Sequence, residues 1–322
     1  MRAIDVFVKV IDNYGDIGFV LEVIDAWKRR FSMDTFQIYT NHPESFESFL
    51  RRMNQTGITI RDEKSFDNTI FSGIGWFFFK YPIPSTLLSQ EKWIRGKGIF
   101  FDYLSFHPDV VKMQGKEHIQ STTHFPIHTM VNSPLLQGGG TIFQISTHTS
   151  KDEWCSYLWL ENSLSEKPWV TVFCYPETWE FLKNQIPPDF LVWHLEERGA
   201  IEQQGNVISL PFQSFEKYQK LLECSDINIV RWEVSLVHAL HAWKPFLWDM
   251  YKWIGGWNEE EFKCFIQWMD DQYTCPDEYE NISRNLNTKT WEILFASLIN
   301  GWKASVSPTG KDIIETIHSH MA

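Results

Sequence analysis

The sequence is short of cysteine, of positive charge and of long apolar runs, and each shortage closes off a class of protein. Its five cysteines, Cys155, Cys174, Cys224, Cys264 and Cys275, are odd in number and widely spaced, with no C-x-x-C pair. That pattern supports neither a disulfide framework nor a zinc ribbon. Lysine and arginine together number 29 against 41 aspartates and glutamates, a formal net charge of −12. The long-range field therefore repels phosphate backbones, and no basic patch offsets it, so no nucleic-acid partner is expected. No run of 18 apolar residues occurs, and in the opening segment MRAIDVFVKVID the charges of Asp5, Lys9 and Asp12 interrupt any apolar leader core. A soluble, cytoplasmic chain with no membrane partner is expected. None of the eleven histidines falls in a metal-ligand motif, and neither a Walker loop nor G-x-S-x-G is present. No metal and no cofactor is expected.

What is abundant is aromatic: 25 Phe, 16 Trp and 10 Tyr make 16% of 322 residues. Rings in that number fill cores and also stack on planar ligand groups such as nucleobases. The 43% apolar content is ample for a core, and the length suits two domains or one large one.

The segment Ile4 to Ile11 is β-branched and nearly continuous, as in a strand buried on both faces of a parallel sheet. The loop DNYGDIG follows. Val20, Val23, Ile24, Trp27 and Phe31 then recur at helical spacing, with Lys28, Arg29 and Arg30 in the last turn, and Phe36 to Thr40 reads as a second strand. This is the opening of a doubly wound α/β domain. The stretch 41–165 is less regular, with GIGWFFFKYPIP, GIFFDYLSF and LLQGGGTIF as short strands and loops. A second alternation starts at Trp169: WVTVFCY, PDFLVWHL, NVISLPF, INIV and PFLWDM as strands, interleaved with PETWEFLKNQI, SFEKYQKLLECS and EVSLVHALHAW as helices. Two doubly wound units are expected, over 1–162 and 163–322, facing a central cleft. The helices from Thr288 onward are expected to cross back to the first unit.

Three groups of residues could carry chemistry. In Asp12-Asn13-Tyr14-Gly15-Asp16-Ile17-Gly18, at the end of the first strand, the glycines permit positive φ and close approach, and their spacing is not that of a dinucleotide fingerprint. Asp12 and Asp16 either provide a base and its orienting partner, or cap the helix and face water. In Arg231-Trp232-Glu233-Val234-Ser235, after INIV, the arginine, the hydroxyl and a helix start could bind phosphate; alternatively Glu233 favours the helix dipole and Arg231 forms an ordinary ion pair. Tyr175, Phe212, Phe215 and Tyr218 follow strand ends, where rings could sandwich a base rather than fill the core. His238 and His241, three apart on a helix, read as packing or surface residues.

The combination of FVKVIDNYGDIG, FCY, LPF with an aromatic six residues on, and VRWEVSLVHALHAWKPFLW resembles the arginine rhamnosyltransferases that modify translation elongation factor P, the EarP family. The resemblance implies a GT-B fold, an acceptor-binding N-terminal domain and a C-terminal domain that binds dTDP-β-L-rhamnose. It also implies transfer of rhamnose to an arginine of elongation factor P with inversion at the anomeric carbon. By matching position, Asp16 would be the general base with Asp12 in support, the segment Asp12 to Asp16 would meet the acceptor, and Glu233 would be the second essential carboxylate. Phe212 and Tyr218 would flank the thymine, with Phe215 nearby; Tyr175 and Arg231 would contact the diphosphate region, and Ser235 its oxygens. The family pattern R-G-E-D-S has Trp232 and Val234 at its second and fourth positions here, and Phe215 stands where glutamine is usual. Those departures motivate two alternatives: a module that binds elongation factor P with impaired or lost turnover, and a transferase using another nucleotide sugar. An acidic chain suits an acceptor that offers a cationic arginine.

Overall fold

The computed structural model describes residues 2–79, 97–102, 124–128, 149–249, 257–274 and 303–304, less positions 12, 54, 55, 69, 70, 159, 161, 197, 198, 212, 232 and 243. Contacts divide the chain into two units, Met1–Phe143 with Thr309–Ala322, and Gln144–Pro308.

The first unit begins β1 (Ala3–Val8), α1 (Asn13–Arg30), β2 (Thr35–Thr40), α2 (Pro43–Met53), β3 (Ile58–Asp62) and continues with β4 (Ile74–Phe78), β5 (Lys97–Asp102) and β6 (His124–His128). These form one sheet in the order β3-β2-β1-β4-β5-β6, parallel throughout. Ile4, Val6, Phe7 and Val8 are all fully buried, as a central parallel strand requires. Phe7 stacks on Tyr39 and Phe77 at 5.2 and 4.9 Å and meets the edge of Phe66 at 4.8 Å. With Phe71 these rings form one buried aromatic cluster. Gly75 on β4 is forced by the same packing, since a Cβ there would lie 2.8 Å from the Phe77 ring.

The second unit contains α3 (Lys151–Tyr157), β7 (Trp169–Val172), α4 (Pro176–Leu182), β8 (Leu191–Glu196), β9 (Glu202–Gln204), β10 (Val207–Pro211), α5 (Phe215–Cys224), β11 (Ile227–Val230), α6 (Glu233–Ala242), β12 (Phe246–Trp248) and α7 (Trp257–Gln272). A two-residue antiparallel pair, β13 (Tyr273–Thr274) with β14 (Lys303–Ala304), follows. The sheet order is β12-β11-β7-β8-β10-β9, with only β9 antiparallel, against β10.

Both sheets are Rossmann-like, and the expected GT-B type, with two such units, holds. The chain leaves β1 toward β2 and β3 on one side and then β4 on the other; β7 is flanked by β8 and β11 in the same manner. In open α/β sheets, ligands sit beyond the carboxyl ends of strands where the order reverses. Those points are the ends of β1 and β4 in one unit, and of β7 and β11 in the other.

The expected junction at 162/163 falls inside the second unit, which starts at Gln144. Lys151 Nζ donates to the Lys167 carbonyl and the Asp226 carboxylate, both in that unit, and Cys224 Sγ donates to the Thr149 carbonyl. Trp154 packs its ring edgewise on Trp193 of β8. A helix that buries its tryptophan against the second sheet belongs to that sheet's core. The helices expected from Thr288 onward lie outside the described residues.

Candidate functional site

At the end of β1, α1 begins inside the expected loop, so Gly15 and Gly18 are helical. Neither has a positive φ, so the left-handed backbone that the glycines permit is not used in this helix. Asp16 lies in that first turn and is 2% exposed. Its Oδ2 accepts the Ile11 N–H at 2.6 Å, reaching back over the turn to the strand end. The carboxylate is thereby held at the switch point, buried rather than facing water. Asp16 thus latches the loop to the first turn of α1 and does not face water. Asp12 lies outside the described residues; Asn13 and Tyr14 open the helix. Across the sheet, Phe79 follows β4 with φ +57, held by its N–H on the Phe101 carbonyl and by ring contact with Phe19 of α1. A bulky residue in the left-handed region is costly, and here these two contacts hold it.

In the second unit three strand ends are tied together. Arg231, directly after β11, is 6% exposed and donates through Nη1 to the Cys174 carbonyl at 3.2 Å. Its guanidinium carbon lies 4.5 Å from the Phe173 ring centre and 5.2 Å from that of Tyr175, the geometry of a cation held over aromatic faces. Asp249, directly after β12, accepts the Tyr175 N–H at 2.8 Å and the Thr178 hydroxyl at 3.1 Å. Its own N–H donates to the Val230 carbonyl. A buried cation and a buried carboxylate thus frame the turn from β7 into α4. Burial pushes the Cys174 thiol well up, and the Asp249 charge adds to this while Arg231 opposes it. The thiol is protonated and is no nucleophile.

Glu233 opens α6 and Ser235, in its first turn, is buried. A helix start beside an arginine is a ready anion site. Phe212 and Trp232 lie outside the described residues. Phe215 and Tyr218, on the first turn of α5, are buried. The expectation that rings beyond a strand end stay out of the core is corrected for both. Phe215 lies parallel to His238 of α6 at 6.3 Å, and Tyr218 meets His238 and Phe173 edgewise at 5.2 and 6.2 Å. These rings and Leu221 and Leu222 line the α5 face that turns inward. His238 also bonds Gln219 through Nδ1 at 2.7 Å. Tyr218 therefore links the α5–α6 core, through Phe173, to the Arg231 group.

His241, also in α6, is held neutral: burial, and secondarily the His238 charge, lower its pKa from 6.5 to about 4. Between those values the unfolded chain binds a proton that the folded one excludes, so stability falls as pH drops from about 6.5 to about 4. The full loss is about 3 kcal/mol. Urea unfolding across that window should give a steeper pH slope for the unsubstituted chain than for His241→Leu; equal slopes would contradict the assignment.

His194 on β8 stacks on Trp179 of α4 at 3.8 Å and lies 3.3 Å from Glu196 Oε1. Burial lowers its pKa, against the pull of Glu196. Among the described residues no cluster of His, Cys, Asp and Glu is built to hold a metal ion, and no helix is long and apolar enough to cross a membrane. Phe173, Cys174 and Asp249 were not among the site residues expected from sequence. The signal for Asp249 is its place directly beyond a strand, where a doubly wound sheet carries its functional groups.

The family model of elongation-factor P rhamnosyltransferase EarP matches residues 130–313. The chain is 22% identical over 298 residues to a protein-arginine rhamnosyltransferase of Pseudomonas aeruginosa, covering 78% of this chain and 77% of that one. Among solved structures it is similar to one described as the structural basis for EarP-mediated arginine glycosylation of translation elongation factor EF-P. That match has 14% identity and a TM-score of 0.46, over 100% of this chain and 94% of the other. It is also similar to a putative UDP-N-acetylglucosamine 2-epimerase from Listeria monocytogenes, at 9% identity and a TM-score of 0.53, over 99% and 96%. The epimerase likeness concerns the fold alone, which hosts more than one chemistry.

Proposed function

This chain belongs to the EarP family of elongation factor P rhamnosyltransferases, and from that footing we propose that it transfers rhamnose from dTDP-β-L-rhamnose to an arginine side chain of elongation factor P, inverting the anomeric carbon. The observation that carries the reading is Arg231: a buried guanidinium at the carboxyl ends of β7 and β11, set against two rings and beside the start of α6. That is where a diphosphate leaving group needs compensating charge.

Asp16 takes the role of general base and Asp12 supports it, with the segment from Asp12 through Asn13, Tyr14 and Gly15 to Asp16 meeting the acceptor. A guanidinium has a pKa above about 12 and is a poor nucleophile. In the proposed step a nitrogen of the acceptor guanidinium gives up a proton to Asp16 as its electron pair forms the bond to the anomeric carbon. The bond from that carbon to the diphosphate oxygen breaks on the opposite face, its electrons leaving with dTDP. Glu233 serves as the second carboxylate. Arg231 and the α6 amides meet the charge that develops on the diphosphate, Ser235 binds its oxygens, and Tyr175 borders it. Phe212 meets the thymine, while Phe215 and Tyr218 serve that end through the α5–α6 core in which they are buried. The step requires neither a metal nor a cofactor.

The experiment is reaction of the purified chain with elongation factor P and dTDP-β-L-rhamnose, with the product's anomeric signal read by NMR. An α-linked rhamnosyl-arginine is expected. A β-linked product would overturn inversion, and product formed only from another nucleotide sugar would overturn the donor.

A further inference from the structure

Asp249 holds a place in the second unit that none of the donor-binding roles above includes. Tyr175 is the residue that caps α4, and its side chain makes no capping hydrogen bond of its own. The helix start is instead anchored from across the sheet: Asp249 Oδ2 accepts the Tyr175 N–H at 2.8 Å, and Asp249 Oδ1 accepts the Thr178 hydroxyl at 3.1 Å. Asp249 is itself fixed, 7% exposed, with its N–H on the Val230 carbonyl at 2.7 Å. Val230 is the residue before Arg231. The Asp249 carboxylate therefore sets the height of the Tyr175 backbone, and the backbone N–H of the same residue ties it to the strand end that carries Arg231. The Tyr175 ring is one of the two faces against which the Arg231 guanidinium lies.

We propose that Asp249 is a positioning residue for the donor site: by accepting the Tyr175 N–H and the Thr178 hydroxyl, it anchors the start of α4, holds the Tyr175 ring against Arg231 and so presets the guanidinium for the donor's diphosphate. The inference rests on the donor reading of Tyr175 and Arg231 given above. Asp249 acts as a hydrogen-bond acceptor in this role and touches no reacting atom. An asparagine can still accept the Tyr175 N–H through its carbonyl, while its amide group donates to the Thr178 hydroxyl. Alanine can do neither, and frees the first turn of α4.

The test is a double-substitution cycle read by calorimetric titration with dTDP, together with amide exchange at Tyr175. Asp249→Ala is expected to weaken dTDP binding about 10-fold in the unsubstituted background and less than about twofold in Tyr175→Ala, because the ring it positions is then missing. Asp249→Asn should stay within about threefold of the unsubstituted chain. Thr178→Val, which removes one of the two bonds and nearly keeps the volume, should raise KM for the donor about threefold with kcat unchanged; it also serves if the alanine variant fails to fold. A full loss that persists in Tyr175→Ala, or an Asp249→Asn chain as impaired as the alanine variant, would overturn the proposal. Exchange separates this inference from the donor reading. Should the unsubstituted chain fail to bind dTDP, the donor assignment falls, and positioning is then decided by the Tyr175 amide alone: its protection must be lost in Asp249→Ala and kept in Asp249→Asn. Protection retained in Asp249→Ala would overturn the positioning role.

Discussion

Replacing Asp16 with asparagine is expected to slow rhamnosyl transfer to elongation factor P by about 10²- to 10⁴-fold, the range for loss of a general base, with dTDP affinity unchanged. The substitution is conservative where the structure is concerned. Asp16 accepts the Ile11 N–H through Oδ2 at 2.6 Å, and the amide oxygen of asparagine can accept the same bond, so the β1–α1 turn stays latched. What asparagine cannot do is take up the proton that the acceptor guanidinium must lose. Asp16→Ala removes both functions and should also lower the melting temperature, because the Ile11 N–H loses its acceptor. The pair of variants thus separates the latch from the base. Full transfer activity in Asp16→Asn would remove Asp16 from the mechanism.

Arg231→Ala should weaken dTDP binding by about 100-fold. A charge-assisted hydrogen bond is worth about 1.5–3 kcal/mol, and a diphosphate presents oxygens that suit the two-pronged guanidinium. Arg231→Lys keeps the charge but neither the fork nor the flat face that lies against Phe173 and Tyr175 at 4.5 and 5.2 Å; it should recover only part of the loss. Calorimetric titration of the three chains with dTDP reads the effect. Because Arg231 also donates to the Cys174 carbonyl, unfolding curves should accompany it. Wild-type affinity in a folded Arg231→Ala chain would contradict the placement of the diphosphate at β7 and β11.

The parts of this fold that were legible in the sequence are those in which periodicity and burial coincide. The segment from Ile4 onward is continuous and β-branched because β1 is covered on both faces. The alternation after Trp169 yields β7 through β12 because each strand there is short and bounded by turn residues. The extra strand β9, the triad Glu202–Gln204, is exposed and polar and carries no such pattern. The second unit starts at Gln144 rather than near 163, and the helix in between, α3, is only seven residues long and so leaves little periodic signal. Its start was nonetheless written in the chain, since Ser150 and Glu153 form a capping box in which each side chain takes the other's backbone N–H.

Of the candidate site, residues next to a strand's carboxyl end could be named from topology: Asp16, Arg231 and Tyr175 lie beside the two switch points. Topology also points to Asp249, but the expected strand PFLWDM ran through it. Strand pairing stops at Trp248, and the residue after it turns its carboxylate toward a different strand end. Which acceptor a buried carboxylate serves is a matter of long-range geometry, here 74 and 71 residues along the chain. Phe215 and Tyr218 show the opposite case. Their distance from the strand end suggested exposed rings, whereas α5 turns them inward against His238 of α6.

The central claim is that this chain places a rhamnose on an arginine of elongation factor P. Mass spectrometry of elongation factor P co-expressed with it, followed by fragmentation to locate the modified residue, is the most direct measurement. The expected result is one added deoxyhexose on a single arginine, absent when Asp16→Asn replaces the unsubstituted chain. An unmodified factor, a different mass increment, or a deoxyhexose on another residue type would contradict it.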